Sequence, residues 1–141
     1  MSPLNYEPLD HTGDLGWIVR APSWDALLAN ASLALSDTLV DLAKVEAKRE
    51  VKWTLQGSTR EALLVRQLEE ILFQFDARGM VFSRFEIHLS APEALSCRAW
   101  GEELDRHKHS FKTEIKAVTY HQLKVEEVKD GSWRAQVILD V

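Results

Sequence analysis

The chain has one cysteine, Cys97, among its 141 residues. A single thiol cannot form an internal disulfide, which indicates a protein of a reducing compartment. No uninterrupted apolar run approaches the roughly 18 residues that a membrane-spanning helix needs, and the first residues lack the basic and then apolar pattern of a signal peptide. We therefore expect a soluble, cytoplasmic protein that does not enter a membrane.

Glycine and proline are also scarce, with six and four residues. They form no linker-like cluster, and the sequence contains no repeats, so we expect one domain over residues 1–141. A hydrophobic fraction of 45% with five tryptophans and five phenylalanines indicates a packed core. A chain of this length buries roughly two-thirds of its unfolded surface and needs no disulfides to fold.

Basic residues are outnumbered by acidic ones, 17 against 22, for a net charge of −5. Attraction to phosphates dominates the affinity of proteins for nucleic acid, so an acidic chain is poorly suited to hold RNA by itself. If the function involves RNA, we expect a second protein to hold it.

Hydrophobic periodicity predicts two helices among several strands. The first helix opens with Ser23 as its N-cap and carries an apolar stripe from Trp24 to Leu42. The second follows a capping box at residues 58–61 and ends at Gly79. Period-two patterns predict extended segments at 4–21 (with a turn around Asp10–Gly13), 50–56, 85–89, 95–99, 113–128 and 132–140. The predicted fold class is α+β, with both helices packed on one face of a mostly antiparallel sheet of six or seven strands.

Carboxylates occur near both ends of the chain. Asp10 and Asp14 flank His11 in the predicted first turn. Asp140 shares its strand parity with polar residues, so it should face away from the core, and the terminal carboxylate of Val141 follows it. Such oxygen groups suit a hard cation. A turn that caps backbone N–H groups and a solvated strand end are the alternatives.

The one locally basic region surrounds two histidines, His107 and His109. It consists of Arg106, His107, Lys108, His109, Lys112 and Lys116. A phosphate or an acidic partner surface would suit this charge, and the two histidines have a spacing that permits a transition-metal site. A solvated loop is the alternative interpretation.

No residue stands in a recognisable catalytic setting. The sequence has no activated Ser, Cys or Lys nucleophile, no phosphate-binding Gly-rich loop, and no CxxC or HExxH motif. His121 shares its parity with apolar strand residues, which favours a hydrogen-bonded core histidine. Cys97 shares a strand face with Leu95 and Ala99, which favours an inert buried thiol.

Three segments together resemble the archease family, the small protein partners of RtcB-type RNA ligases. The longest is Lys112 to His121, in which small and charged side chains alternate in a predicted strand. The others are His11-Thr12-Gly13-Asp14 near the start and Ile138-Leu139-Asp140-Val141 at the end. Core packing alone does not explain charged residues in a strand, and the order of all three segments matches the family.

The resemblance implies a function and a set of metal ligands. Archease proteins are described as metal-binding activators that promote guanylylation of the ligase's active-site histidine, in tRNA splicing or RNA repair, without being the catalyst. The family's metal ligands match Asp14, Asp140 and the terminal carboxylate of Val141, and calcium is the usual metal. The resemblance implies further contacts, with the metal's surroundings or with the partner, for His11, Lys112, Glu114 and Lys116.

Two other functions compete with this one. Carboxylates around a cation also activate water, so a metal-dependent hydrolase that works alone is one alternative. A general chaperone-like interaction module, which needs only charged strand faces, is the other.

The sequence departs from the archease family in its second predicted helix. This helix reads Val65-Arg66-Gln67-Leu68-Glu69-Glu70, where many family members carry a Trp-Leu-Asn pattern.

Overall fold

The computed structural model describes residues 6–11 and 14–141, without the side chains of Asp10 and His11. The helices are α1 (Trp24–Leu39) and α2 (Arg60–Arg78), with a short 3-10 turn at Leu42–Lys44. The strands are β1 (Tyr6–His11), β2 (Asp14–Ala21), β3 (Arg49–Gln56), β4 (Met80–Ala91), β5 (Ala94–Glu103), β6 (Ala117–Val118), β7 (Lys124–Glu127) and β8 (Trp133–Asp140). The predicted start of the first strand at residues 4–5 and the turn residues 12–13 lie outside the described residues.

The strands form two sheets. In the described part of the chain, β1, β2, β8 and β6 follow one another in the first sheet, in which β7 also pairs with β8, and β3, β5 and β4 form the second. Every pairing between these strands is antiparallel. The α+β class is therefore confirmed, but the described residues form eight strands in two sheets where one sheet of six or seven strands was predicted.

Both helices contact strands of both sheets, so they do not cover one face of a single sheet as predicted. In α1, small and polar residues such as Ser32, Ala34 and Ser36 are buried together with the leucines. The predicted stripe of α1 included only apolar positions. The small side chains beside that stripe are also buried, so α1 buries a wider part of its surface than predicted. Neither helix in the described residues combines the length and the apolarity that crossing a bilayer demands.

The helix ends follow local hydrogen bonds. Ser23 is the N-cap of α1, as predicted, and accepts from the Ala26 N–H. The α2 cap is Thr59, whose Oγ1 accepts from the Ala62 N–H at 3.1 Å, so the predicted capping box at 58–61 was wrong by one residue. Gly79, with φ of 61°, ends α2 as predicted.

The continuous strand predicted at 113–128 is two short strands. Both β6 and β7 pair with β8, but the pairing register shifts by three residues between Val118↔Leu139 and Lys124↔Gln136. The extra residues form a turn that contains Gln122 at φ of 51°. The more buried positions change from even-numbered at Val118 to odd-numbered at Leu123 and Val125, so one continuous strand does not describe this segment.

A buried amide joins α1, α2 and the second sheet. Gln67 is fully buried, and its Oε1 accepts from Trp53 Nε1 at 2.8 Å. Its Nε2 donates to Ser32 Oγ at 3.0 Å and lies 3.5 Å from Cys97 Sγ. A buried polar group is stabilising only when its partners are present, so this amide fixes how the three elements pack.

Gln67→Leu is expected to lower the free energy of unfolding by about 2 kcal/mol, because the part-buried Trp53 Nε1 then loses its acceptor. Urea denaturation measures the change. In a Trp53→Phe background the same substitution should lower the free energy of unfolding by markedly less, because the Trp53 Nε1 donor is absent. An equal cost in both backgrounds would contradict the assigned hydrogen bond.

Candidate metal centre

Three segments that are distant in sequence lie side by side at one end of the first sheet. The register places His11 of β1 opposite Asp14 of β2 and Asp14 opposite Asp140 of β8. On the other side of β8, Asp140 is opposite Ala117 of β6. His11 and Asp14, the start of β6 and the last residues of β8 therefore meet at one end of the first sheet.

Asp14 and Asp140 occupy directly opposed positions. Such residues of an antiparallel pair point to the same face, with Cα atoms about 4.5–5.5 Å apart. Leu139 is fully buried whereas Asp140 is exposed, so Asp140 faces away from the core as predicted. Asp14 is half-buried. Like charges in opposed positions destabilise a sheet, and a cation held between them removes that cost.

The surrounding backbone fixes the position of this pair. The Lys116 N–H donates to the Asp140 carbonyl oxygen at 2.8 Å, which ties segment 112–118 to the end of β8. Val141 packs partly against the core immediately beyond Asp140. Lys112, Glu114 and Lys116 are exposed, while Ile115 between them is buried.

The donor set fits a hard cation. Two carboxylates and main-chain oxygens are oxygen ligands of the kind that Ca²⁺ and Mg²⁺ prefer. Among the residues whose side chains are described, no three His, Cys, Asp or Glu side chains are grouped for metal binding. The two described carboxylates at this end of the sheet are those of Asp14 and Asp140, and the side chains of Asp10 and His11 lie outside the described residues.

Most of the basic region is exposed, as a solvated loop would be, but one of its two histidines is buried. His109 is buried, and its Nδ1 accepts from the Asp105 N–H at 2.9 Å. Its Nε2 lies 3.1 Å from Glu102 Oε2, so both ring nitrogens already have partners. His107 is exposed. The two histidines therefore do not form a pair that could bind a metal.

Glu102 organises this loop, and the sequence did not indicate it. Its carboxylate accepts from the Glu46 N–H at 2.8 Å, and Lys108 Nζ lies 2.9 Å away. Burial by itself would raise the pKa of Glu102, but the hydrogen bonds from Glu46, Lys108 and His109 prevail and lower this pKa to about 2. Even-numbered residues of β5 otherwise face outward, so strand parity alone would have assigned Glu102 to solvent.

This pKa gives a pH dependence with a definite sign. A carboxyl whose pKa is lowered by folding stabilises the protein above its ordinary pKa of 4.5, and that stability is lost as the pH falls toward 2. Glu102→Gln should therefore be less stable than the parent at about pH 6, with the difference shrinking below about pH 4.5 and disappearing near about pH 2. Urea denaturation across this range measures it, and Glu103→Gln, exposed on the same strand, is the control. A difference in stability that is independent of pH would contradict the hydrogen bonds assigned to the Glu102 carboxylate.

Two single-residue expectations have opposite outcomes. His121 is exposed, so the predicted core histidine was wrong. Its backbone N–H donates to Thr119 Oγ1 at 3.2 Å in the turn after β6. Cys97 is buried as predicted, and burial raises the pKa of its thiol to about 12, which keeps it protonated and unreactive.

Comparison with known proteins identifies the family. Residues 6–141 match the model of the archease protein family. The chain belongs to the archease family. It is 41% identical over 141 residues to "Protein archease" of Methanopyrus kandleri, covering 98% of this chain and all of that protein. It is 37% identical over 139 residues to "Protein archease" of Pyrococcus abyssi, with 96% and 98% coverage.

A solved structure shows the same fold. The solution structure of Methanobacterium thermoautotrophicum protein 1598 superimposes with a TM-score of 0.80 at 30% sequence identity. The match covers 98% of this chain and 99% of that one. The archease resemblance that three short segments indicated thus extends over both sheets and both helices.

Proposed function

We propose that this chain is a metal-binding accessory protein that activates an RtcB-type RNA ligase. In this role it promotes guanylylation of the ligase's active-site histidine in the cytoplasm, during tRNA splicing or RNA repair, and is not itself the catalyst. The observation that supports the proposal most strongly is the opposed pair Asp14 and Asp140, which the strand register places beside segment 112–121.

The proposed site uses oxygen ligands from both ends of the chain. Asp14, Asp140 and a main-chain oxygen of Val141 would hold Ca²⁺ or another hard divalent cation. When bound, the cation supplies positive charge at an exposed end of the sheet, where a partner's oxygen groups can complete its coordination. Lys116 lies next to this end through its hydrogen bond to Asp140, and the exposed Lys112, Glu114 and Lys116 would contact the ligase.

The acidic chain reaches RNA only through its partner in this proposal. With a net charge of −5, it lacks the overall attraction to phosphates on which direct RNA binding depends. His11, whose backbone lies opposite Asp14, has a position next to the ligands. We assign it to the surroundings of the metal and not to the ligand set.

A guanylylation assay tests the proposal. An RtcB-type ligase is incubated with GTP and Ca²⁺, with and without this chain, and formation of the covalent ligase–GMP is followed. The chain should increase its amount and allow repeated turnover, and Asp14→Ala or Asp140→Ala should remove the increase. Asp76→Ala, exposed on α2, is the matched control. No increase with the parent chain, or an undiminished increase with both site variants, would refute the proposal.

A further inference from the structure

Strand β3 has an open edge. The order of the second sheet is β3, β5, β4, and no strand in residues 6–11 and 14–141 pairs with the outer side of β3. Just beyond β3, the Gly57 N–H donates to the Glu93 carbonyl oxygen. Because hydrogen-bonding direction alternates along an antiparallel strand, the N–H and C=O groups of Glu50, Lys52 and Thr54 point away from β5. This edge is a template for another strand.

A groove of about 370 Å³ lies beside this edge, between β3 and α2. Its apolar lining comes from Leu55 and Phe73, and the Phe73 side chain is 48% exposed. Large exposed aromatic side chains are more often found where a partner binds than elsewhere on a surface. A strand added to β3 would place every second side chain over this lining.

The groove is also acidic. Glu69 and Glu70 belong to its lining. The one cation of the lining, Arg66, donates to the Gln56 carbonyl oxygen and so caps the end of the open edge. With the charge of Arg66 counted, the lining keeps one net negative charge, which favours a basic segment and disfavours the phosphates of RNA.

We propose that β3 and α2 form a docking groove for an extended segment of a partner protein, which adds to β3 as a strand and carries apolar and Lys or Arg residues alternately on its groove side. Main-chain hydrogen bonds to Glu50, Lys52 and Thr54 supply affinity, and the groove selects the side chains. This surface belongs to the second sheet, so the proposal does not depend on the metal centre in the first.

Defined peptides test the proposal. The probe is a labelled, capped peptide Thr-Val-Thr-Lys-Thr-Leu-Thr-Lys, whose alternate residues present Val, Lys, Leu and Lys on one face. We expect measurable binding in fluorescence anisotropy, and at least about tenfold weaker binding when both lysines are replaced by glutamates. Two further peptides are N-methylated at every second residue, one at the odd and one at the even positions. One of them should lose binding and the other should keep it. Equal effects of the two methylation patterns, or equal binding of the glutamate peptide, would overturn the proposal.

Variants of the chain give an independent arm. Lys52→Pro removes an outward N–H without disturbing the pairing of β3 with β5, and should weaken peptide binding about tenfold. Lys52→Ala keeps that N–H and should retain most of the affinity, while Phe73→Ser should lose it. Circular dichroism checks that the variants fold. If Lys52→Pro unfolds, the binding of the lysine, glutamate and N-methylated peptides to the parent chain tests the proposal. A parent chain that dimerises in light scattering, with Lys52→Pro breaking the dimer, would show a second copy to be the occupant and overturn the proposal.

Discussion

Asp140→Asn is expected to weaken Ca²⁺ binding by about a hundredfold, roughly 2.7 kcal/mol. The described residues provide two carboxylates at the site, and affinity for Ca²⁺ depends strongly on the number of charged ligands. Asparagine preserves the size of the side chain, so the loss reports charge and not shape. Isothermal titration calorimetry with Ca²⁺ measures the affinity directly.

The same variant should change stability with opposite signs in two buffers. In EDTA, Asp140→Asn removes repulsion from Asp14 and should stabilise the sheet by about 0.2–1 kcal/mol. In excess Ca²⁺ it should be less stable than the parent, because the parent gains free energy from bound cation. Asp76 is exposed on α2, and Asp76→Asn should change the stability neither in EDTA nor in excess Ca²⁺. A variant that binds Ca²⁺ as tightly as the parent would contradict the assignment of Asp140.

Gly101→Ala is expected to have the largest effect on folding, at least about 4 kcal/mol, or roughly 15 °C in Tm. Gly101 lies opposite Phe82 where β4 and β5 pair, next to an irregularity in that pairing. An added Cβ would overlap the Val81 carbonyl oxygen and lie 2.7 Å from Phe82 Cα. Main-chain atoms cannot move aside as a side chain can, so the two strands must separate.

Ser96→Thr is the matched control for this substitution, because it adds one methyl group to an exposed position of the same strand. Its effect should stay within about 0.5 kcal/mol. Thermal unfolding by circular dichroism compares the two variants. Gly101→Ala with a Tm within about 3 °C of the parent would contradict the close approach of β4 to β5.

Local patterns predicted the elements better than their arrangement. The cap at Ser23, the end of α2 at Gly79 and the strand at 50–56 depend on neighbouring residues, and the sequence contains that information. The division into two sheets depends on which strands meet across long separations. Nothing in the pattern of β3 or β8 specifies its partner, so one sheet was the simpler prediction.

The same distinction between local pattern and arrangement applies to the candidate site. Strand parity correctly placed Asp140 on the outer face. Its position opposite Asp14 follows from the pairing of β2 with β8, which parity does not predict. For His109, the loop sequence reads as polar and solvated, and only the buried carboxylate of Glu102 explains why this histidine is inside.

The proposed activation of a ligase requires that one cation binds where the three segments meet. The most direct measurement is a Ca²⁺ titration followed by backbone amide NMR of the labelled chain. The largest shifts should occur at Asp14, Ala117 and Asp140, with saturation at one equivalent and little change along β3 to β5. Shifts confined to the second sheet, or none up to millimolar Ca²⁺, would contradict it.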